Sequence, residues 1–373
     1  MNCKILLMKY SIIVTLALSL IGCVNTQQLT EGKEIKLQET GAYKELQFTD
    51  VFTPLETVCL DTKDVCQLKS ITKVEVYDNC YYILGGTTKS AVFVFDKDGH
   101  FIRKIGTQGH GKGEYLNAHD FTIDKENKRI AILSAPSKVY FYSLQGDFLN
   151  KKELGKILVW NITSTSTGFI ASTNHLTYTS GDNAYLLYFF NKDFDATKKE
   201  VPVLPYQIYM PSFGLPVFQR NDGKDYYVDI YNNKIIDLLG SNENKMDYMI
   251  SLPNPMPTEN FKEWKVFSEN QRKYDWIQNI CLLGDDAVFV YKQGVYINVE
   301  SVSLSGKVIV HGCYGGNFPK MFSDGKGNAI LCISAYSYLK NKMEDLLPGL
   351  KGKVKASDNY ILVKCKLKKT IDR

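Results

Sequence analysis

The strongest constraint on the fold is a recurring unit. Ser90 to Asp124, SAVFVFDKDGHFIRKIGTQGHGKGEYLNAHDFTID, reads as strand, turn, strand, glycine-rich connector, strand. Ala91–Phe95 is an aromatic and β-branched run, and Asp96-Lys97-Asp98-Gly99 supplies a turn whose glycine can take φ > 0, so Phe101–Ile105 returns as the hairpin partner. The unit recurs at Val139–Phe148 and Leu187–Phe194, and more loosely at Ile235–Gly240 and Val299–Gly306. A single hairpin is not stable in water, so the copies must pack on one another. A spacing of roughly 40 to 60 residues, with about four strand-like runs in each copy, is that of propeller blades rather than of a sandwich.

The two ends follow different rules. Lys4 and Lys9 precede an apolar run, Tyr10–Ile21, too short for a comfortable membrane span and ending in Leu20-Ile21-Gly22-Cys23. This pattern resembles the lipobox of bacterial lipoproteins, which implies a diacylglyceryl group on Cys23 and cleavage before it. Residues 1–22 are therefore expected to be a signal peptide, residues 23–45 a flexible tether, and residues 46–373 one domain. Hydrophobic content of 44%, with 24 Tyr and 19 Phe, supplies the core that such a domain requires.

Loss of Lys4 and Lys9 takes the formal charge from +5 to +3 (45 − 2 basic residues against 40 acidic). The remaining charges are scattered, which argues against nucleic acid as a partner. Of the nine Cys, Cys3 leaves with the signal and Cys23 is lipidated, so seven remain and cannot all pair internally. Cys281, Cys332 and Cys365 lie in apolar strand runs and read as buried thiols, and Cys59 and Cys66 are the pair placed to bridge if one forms.

Taken in order, the repeats give six four-stranded antiparallel blades, an all-β propeller. Phe52–Leu60 is too apolar for a tether and is expected beside Tyr360–Leu367, closing the ring, with the outermost position of the two left open. Blade one spans Ile71 to Ile105, blade two Asp120 to Glu153, blade three about Ile157 to Val203, blade four Phe218 to Leu252, and blades five and six resume at Ile280 and Lys320. Between Pro257 and Gln278, Phe261, Trp264, Phe267 and Tyr274 fall at helical spacing with Thr258 as N-cap. A second helical stretch, Tyr336–Leu347, interrupts blade six.

FVFDKDG at Phe93, FIRKIG at Phe101, GHGKGEY at Gly109, DFTID at Asp120 and the opening Pro54-Leu-Glu-Thr are together similar to the six-bladed, NHL-like propeller lipoproteins of Bacteroidota. The resemblance implies fold and envelope location, and little chemistry.

Gly106–Gly113 comes within one residue of the phosphate-loop pattern G-x-x-x-x-G-K-S/T, but Gly113 stands where the Mg²⁺-holding hydroxyl belongs and a strand follows in place of a helix. It reads as an interblade connector. His119 and Asp120 open an inner strand and face the channel, where they are candidates for ligand binding or for buried hydrogen bonds that close it. Tyr206, Tyr209, Phe213, Trp264, Trp276 and Tyr314 lie on connecting segments and can form a stacking platform or pack the insertion. No hydrolase or metal-spacing motif is present among the five His and the serines.

The expectation is thus a lipid-anchored, monomeric, non-enzymatic binding propeller of the outer membrane, on the periplasmic side in preference to the cell surface. It requires no cofactor and recognises a peptide, protein partner or glycan. The alternative is a metal-dependent lactonase or lyase with its site in the channel around His119 and Asp120.

Overall fold

The computed structural model describes residues 32–39, 45–86, 90–134, 137–175, 185–203, 215–239 and 245–369. Six antiparallel sheets form a six-bladed propeller. From the inner strand outward, blade one is Ser70–Tyr77, Cys80–Gly86, Ser90–Asp96 and Phe101–Ile105, and blade two is Asp120–Asp124, Arg129–Ser134, Lys138–Ser143 and Phe148–Glu153. The inner strands of blades three to six are Asn161–Thr165, Phe218–Asn221, Trp276–Leu283 and Lys320–Ser323.

Blade six closes the ring. Its first three strands come from the C-terminal part of the chain and its outermost strand, Phe52–Cys59, comes from the N-terminal part, paired antiparallel with Tyr360–Leu367. The expected partnership therefore holds, and the outermost position belongs to the N-terminal strand.

The hairpin turns between third and fourth strands of blades one, two and three are built alike, which explains the repeat. A short polar side chain ends the third strand and accepts backbone N–H groups beyond it. Asp96 Oδ1 takes those of Asp98 and His100, Ser143 Oγ those of Gln145 and Asp147, and Asn191 Oδ1 those of Asp193 and Asp195. Such side chains mimic a backbone turn and fix its register.

The core lies between blades, in six apolar clusters that follow the ring round to the contact of blade six with blade one. Strand alternation feeds two of them at once. In blade one Tyr81 and Ile83 pack toward blade six, whereas Tyr82 and Leu84 pack toward blade two. Strands buried on both faces read as continuous apolar runs, as AILCIS and RIAIL do.

Three expectations need correction. Residues 33–45 are not all tether: Lys33–Lys36 pairs parallel with Tyr248–Ser251 as a fifth strand of blade four, and Glu45–Leu46 pairs parallel with Cys313–Tyr314 on blade five. Ile35 and Leu37 are buried between those blades, so two apolar side chains in a polar stretch were enough to dock it. Cys59 and Cys66 do not bridge; both are free, as are the other five cysteines of the described residues. The insertion is helical as expected, with a 3-10 turn Thr258–Phe261 and a helix Trp264–Asn270, but Thr258 is the first residue of the turn rather than an N-cap, and its hydroxyl donates to Tyr231 O. The helix in blade six is Ala335–Lys340, capped by Ser334.

Candidate functional site

An inner strand has a neighbour on one side only. Its other edge faces the channel, where unpaired backbone groups would be costly. Side chains from adjoining blades complete them. Lys73 Nζ donates to Phe121 O at 2.5 Å and Ile162 O at 3.2 Å, and Glu75 accepts the Ile123 N–H at 3.1 Å. Thr122 Oγ1 accepts the Ser164 N–H at 3.0 Å, Gln219 both accepts from Leu282 N–H and donates to Ile280 O, and Lys320 reaches Ile71 O at 3.0 Å.

Asp120 belongs to this lacing. Its Oδ1 meets the Lys73 ammonium at 3.0 Å and the Phe121 N–H at 2.8 Å, while Oδ2 accepts the Ile162 N–H of blade three at 2.8 Å. Burial would push the Lys73 pKa down, but the Asp120 and Glu75 carboxylates outweigh it and the net shift is upward. His119 lies with its ring edge-on to Trp160 at 5.5 Å, and burial lowers its pKa against the raising effects of the Asn117 backbone and the Asp120 carboxylate. The pair singled out in the sequence thus splits: Asp120 ties three blades together, and His119 packs on an aromatic ring.

A different place gathers binding chemistry. Where the inner strands of blades five and six begin, a cavity of about 400 Å³ opens beneath the helical insertion. Its wall is a run of rings: Tyr231 to Phe261 at 5.2 Å between centroids, Phe261 to Phe267 at 5.8 Å, and Phe267 to Trp276 at 5.0 Å. Phe318 and Asn317, from the connector into blade six, face that wall, and Asn279 and Lys320 lie at the strand starts. The base of the insertion is pinned by Asp275, whose Oδ2 accepts from Asn254 N–H at 2.9 Å and Gln293 Nε2 at 3.1 Å.

A β-bulge sets the polar groups. Ile277 opposes Tyr291 and Asn279 opposes Val290, leaving Gln278 as the extra residue. Asn279 alternates with Cys281 and Leu283, which pack toward blade six, whereas Trp276 packs on the cluster of Tyr231, Phe261 and Phe267, and both residues line the cavity. The Trp276 indole N–H and the Asn279 amide oxygen are both buried and lack a hydrogen-bond partner, and Asn279 is only 7% exposed. Buried polar atoms without a partner are few in a folded protein, and both of these residues belong to the cavity lining.

Of the residues chosen from sequence, Trp276 lines the cavity, and Trp264, 60% exposed, joins it through Phe267 at 5.8 Å. Tyr314 is buried behind Phe318, ring edge to ring face at 4.9 Å, and supports the wall instead of lining it. Tyr206, Tyr209, Phe213 and Cys23 lie outside the described residues. Asn279 and Phe318 were missed. A signal existed in Trp276-Ile-Gln-Asn-Ile-Cys-Leu-Leu, where two adjacent amides interrupt an otherwise apolar strand.

The glycine-rich connector is what it was read to be. Thr107–Gln108 pairs with Glu114–Tyr115, and the Glu114 carboxylate accepts the Gly111 N–H at 2.8 Å, so an internal anion occupies the position a phosphate would need. Among the described residues, the one group of three acidic or His side chains close enough to share an ion is Asp96, Asp98 and His100, on an outer turn remote from the channel.

The sequence matches the profile of a domain of unknown function, DUF4934, over residues 33–366, from the first strand on blade four to the end of the closing blade. The chain belongs to the DUF4934 family. This DUF4934 propeller is similar in structure to a protein of Bacteroides fragilis NCTC 9343 described as exported, at TM-score 0.71 and 17% identity over 90% of this chain and 99% of that one. It is also similar to a DUF4221 family member from Bacteroides vulgatus ATCC 8482, at TM-score 0.58 and 8% identity over 86% and 98% of the two chains. No curated protein matches the DUF4934 chain in sequence.

Proposed function

We propose that this DUF4934 protein is a non-enzymatic binding propeller of the cell envelope, monomeric and anchored by lipid at Cys23, whose ligand enters the cavity beneath the helical insertion. The observation that carries the reading is the cavity itself: an aromatic wall with a buried donor and a buried acceptor that no group among the described residues completes. Preformed apolar concavities with a few convergent polar groups are the usual form of a ligand site. The exported description of the Bacteroides fragilis structure and the likeness to NHL-type lipoproteins support an envelope location, with the outer membrane's periplasmic side favoured. No helix among the described residues is long and apolar enough to cross a membrane, which is compatible with a lipid anchor.

The channel is the weaker candidate. For Asp120 to hold a metal it would have to give up the Lys73 ammonium and the Ile162 amide, and both oxygens are engaged. The test is a peptide and glycan array probed with mature protein and with Trp276→Ala. Binding that Trp276→Ala abolishes is expected. Array signals indifferent to Trp276, or turnover of a substrate that is lost in Asp120→Ala, would contradict the reading. Cys23→Ser should move the protein to the soluble fraction, and unchanged membrane fractionation would remove the anchor.

A further inference from the structure

We infer that the ligand of this cavity is a neutral saccharide, with the C–H face of a pyranose ring against the aromatic wall and its hydroxyls paired with Trp276 and Asn279. The inference rests on the proposal that the cavity is the binding site, and adds the chemistry of what it binds.

Charge comes first. Among the described residues no Asp or Glu lines the cavity, so a cationic ligand finds no counter-ion there. The one cation on the wall, Lys320, donates its ammonium proton to Ile71 O at 3.0 Å, and burial lowers its pKa, so it is a poor anchor for an anion. A charged ligand would leave its hydration shell with little in return.

The orphaned atoms narrow the choice further. Trp276 Nε1 can only donate and Asn279 Oδ1 can only accept, and both residues line the cavity. A hydroxyl accepts and donates through a single oxygen, so the hydroxyls of one polyol supply partners to both. An aliphatic side chain of a peptide fills the same space and leaves both atoms dry.

The wall agrees with a ring. Tyr231, Phe261, Phe267 and Trp276 adjoin ring to ring, and an aromatic face is electron-rich, so it attracts the slightly positive C–H edges that a pyranose presents on its apolar side. The Gln278 and Asn317 amides at the border offer further donors and acceptors to the remaining hydroxyls. A volume of about 400 Å³ falls within the range of small-ligand sites, roughly 300–1,000 Å³, and suits one or two sugar rings.

The experiment is a calorimetric titration of mature protein with cellobiose, maltose, lactose and N,N′-diacetylchitobiose, beside digalacturonate as the charged sugar and acetyl-leucyl-phenylalanine amide as the peptide probe. At least one neutral disaccharide is expected to bind, with affinity reduced tenfold or more in both Trp276→Phe and Asn279→Leu. Asn279→Leu should also melt higher than the parent, because it removes an unpaired buried amide, so its loss of binding is not a loss of folding. Cavity binding confined to digalacturonate or the peptide overturns the saccharide and leaves the cavity as the site. Undiminished saccharide affinity in Asn279→Leu overturns the hydroxyl pairing at Asn279. If no probe binds and array signals are also indifferent to Trp276, the binding-site reading falls with it.

Discussion

Gly99 and Phe194 hold the same position in the hairpin turns of blades one and three, each three residues after the capping side chain, at φ of 90° and 66°. Glycine takes that conformation freely and phenylalanine does not. Phe194 is kept there because its ring stacks on Phe190 at 4.6 Å and meets Phe169 at 5.0 Å in the cluster between blades two and three. Loss of the ring in Phe194→Ala is expected to destabilise by about 3–5 kcal/mol. Phe194→Gly should be the milder change by about 1 kcal/mol, reversing the usual order of these two residues. Urea denaturation of the pair measures it, and an alanine variant as stable as the glycine variant would show that the turn stores no strain.

Asp120→Ala removes the acceptor of the Ile162 N–H and one of the two carboxylates facing the buried Lys73. Leaving such a charge half-compensated is expected to cost about 3–5 kcal/mol. A loss below about 1 kcal/mol in chemical denaturation would mean that blades two and three are not tied through this carboxylate.

Glu300 gives a pH dependence of definite sign. It is fully buried on blade five, with Oε2 accepting from the Gln38 N–H and the Tyr291 hydroxyl at 2.9 Å, and Oε1 without a partner. Burial raises its pKa from 4.5 to about 6, against the lowering effect of those hydrogen bonds. The folded state therefore holds the proton more tightly than the unfolded state. Stability from this group is full below about pH 4.5, falls as pH rises through about 6, and the total is about 2 kcal/mol. Glu300→Gln should flatten the difference in melting temperature between pH 4.5 and 7, and an identical pH profile in that variant would contradict the assignment.

The hairpins were legible because their signals are local: a capping Asp, Ser or Asn and a residue at positive φ sit within five positions of one another. Ring closure was legible because Phe52, Leu55, Val58 and Leu60 are together too apolar for a tether; Phe52, Val58 and Leu60 are buried, whereas Leu55 is 56% exposed. Lys33–Lys36 was not, since KEIK carries one apolar residue and its stability comes from the edge of Tyr248–Ser251, more than 200 positions away. The cavity was half legible. Trp264 and Trp276 stand out as residue types, but Phe318 and Asn279 join them only once blades five and six lie side by side, and no spacing along the chain encodes that. His119 and Asp120 were read as a pair because they are adjacent in sequence, whereas neighbours on a strand point to opposite faces.

The N-terminal strand makes its own test. Ile35→Asp places a charge in the contact between blades four and five, against a residue that is fully buried. The expected loss is about 3 kcal/mol or more, from the apolar burial forfeited and the carboxylate desolvated. A variant that melts with the parent would return residues 33–39 to the tether.

The most direct test of the binding site is the indole N–H region of a proton–nitrogen spectrum, because the chain has three tryptophans, at 160, 264 and 276. Assigned by single substitution to Phe, their resonances are followed while the neutral disaccharides and the peptide probe are added. The Trp276 signal should move downfield as its orphaned N–H gains an acceptor, with Trp264 shifting less and Trp160, on blade three, staying still. A Trp276 resonance that no probe displaces, while another ligand-induced change appears elsewhere on the ring, would contradict the account.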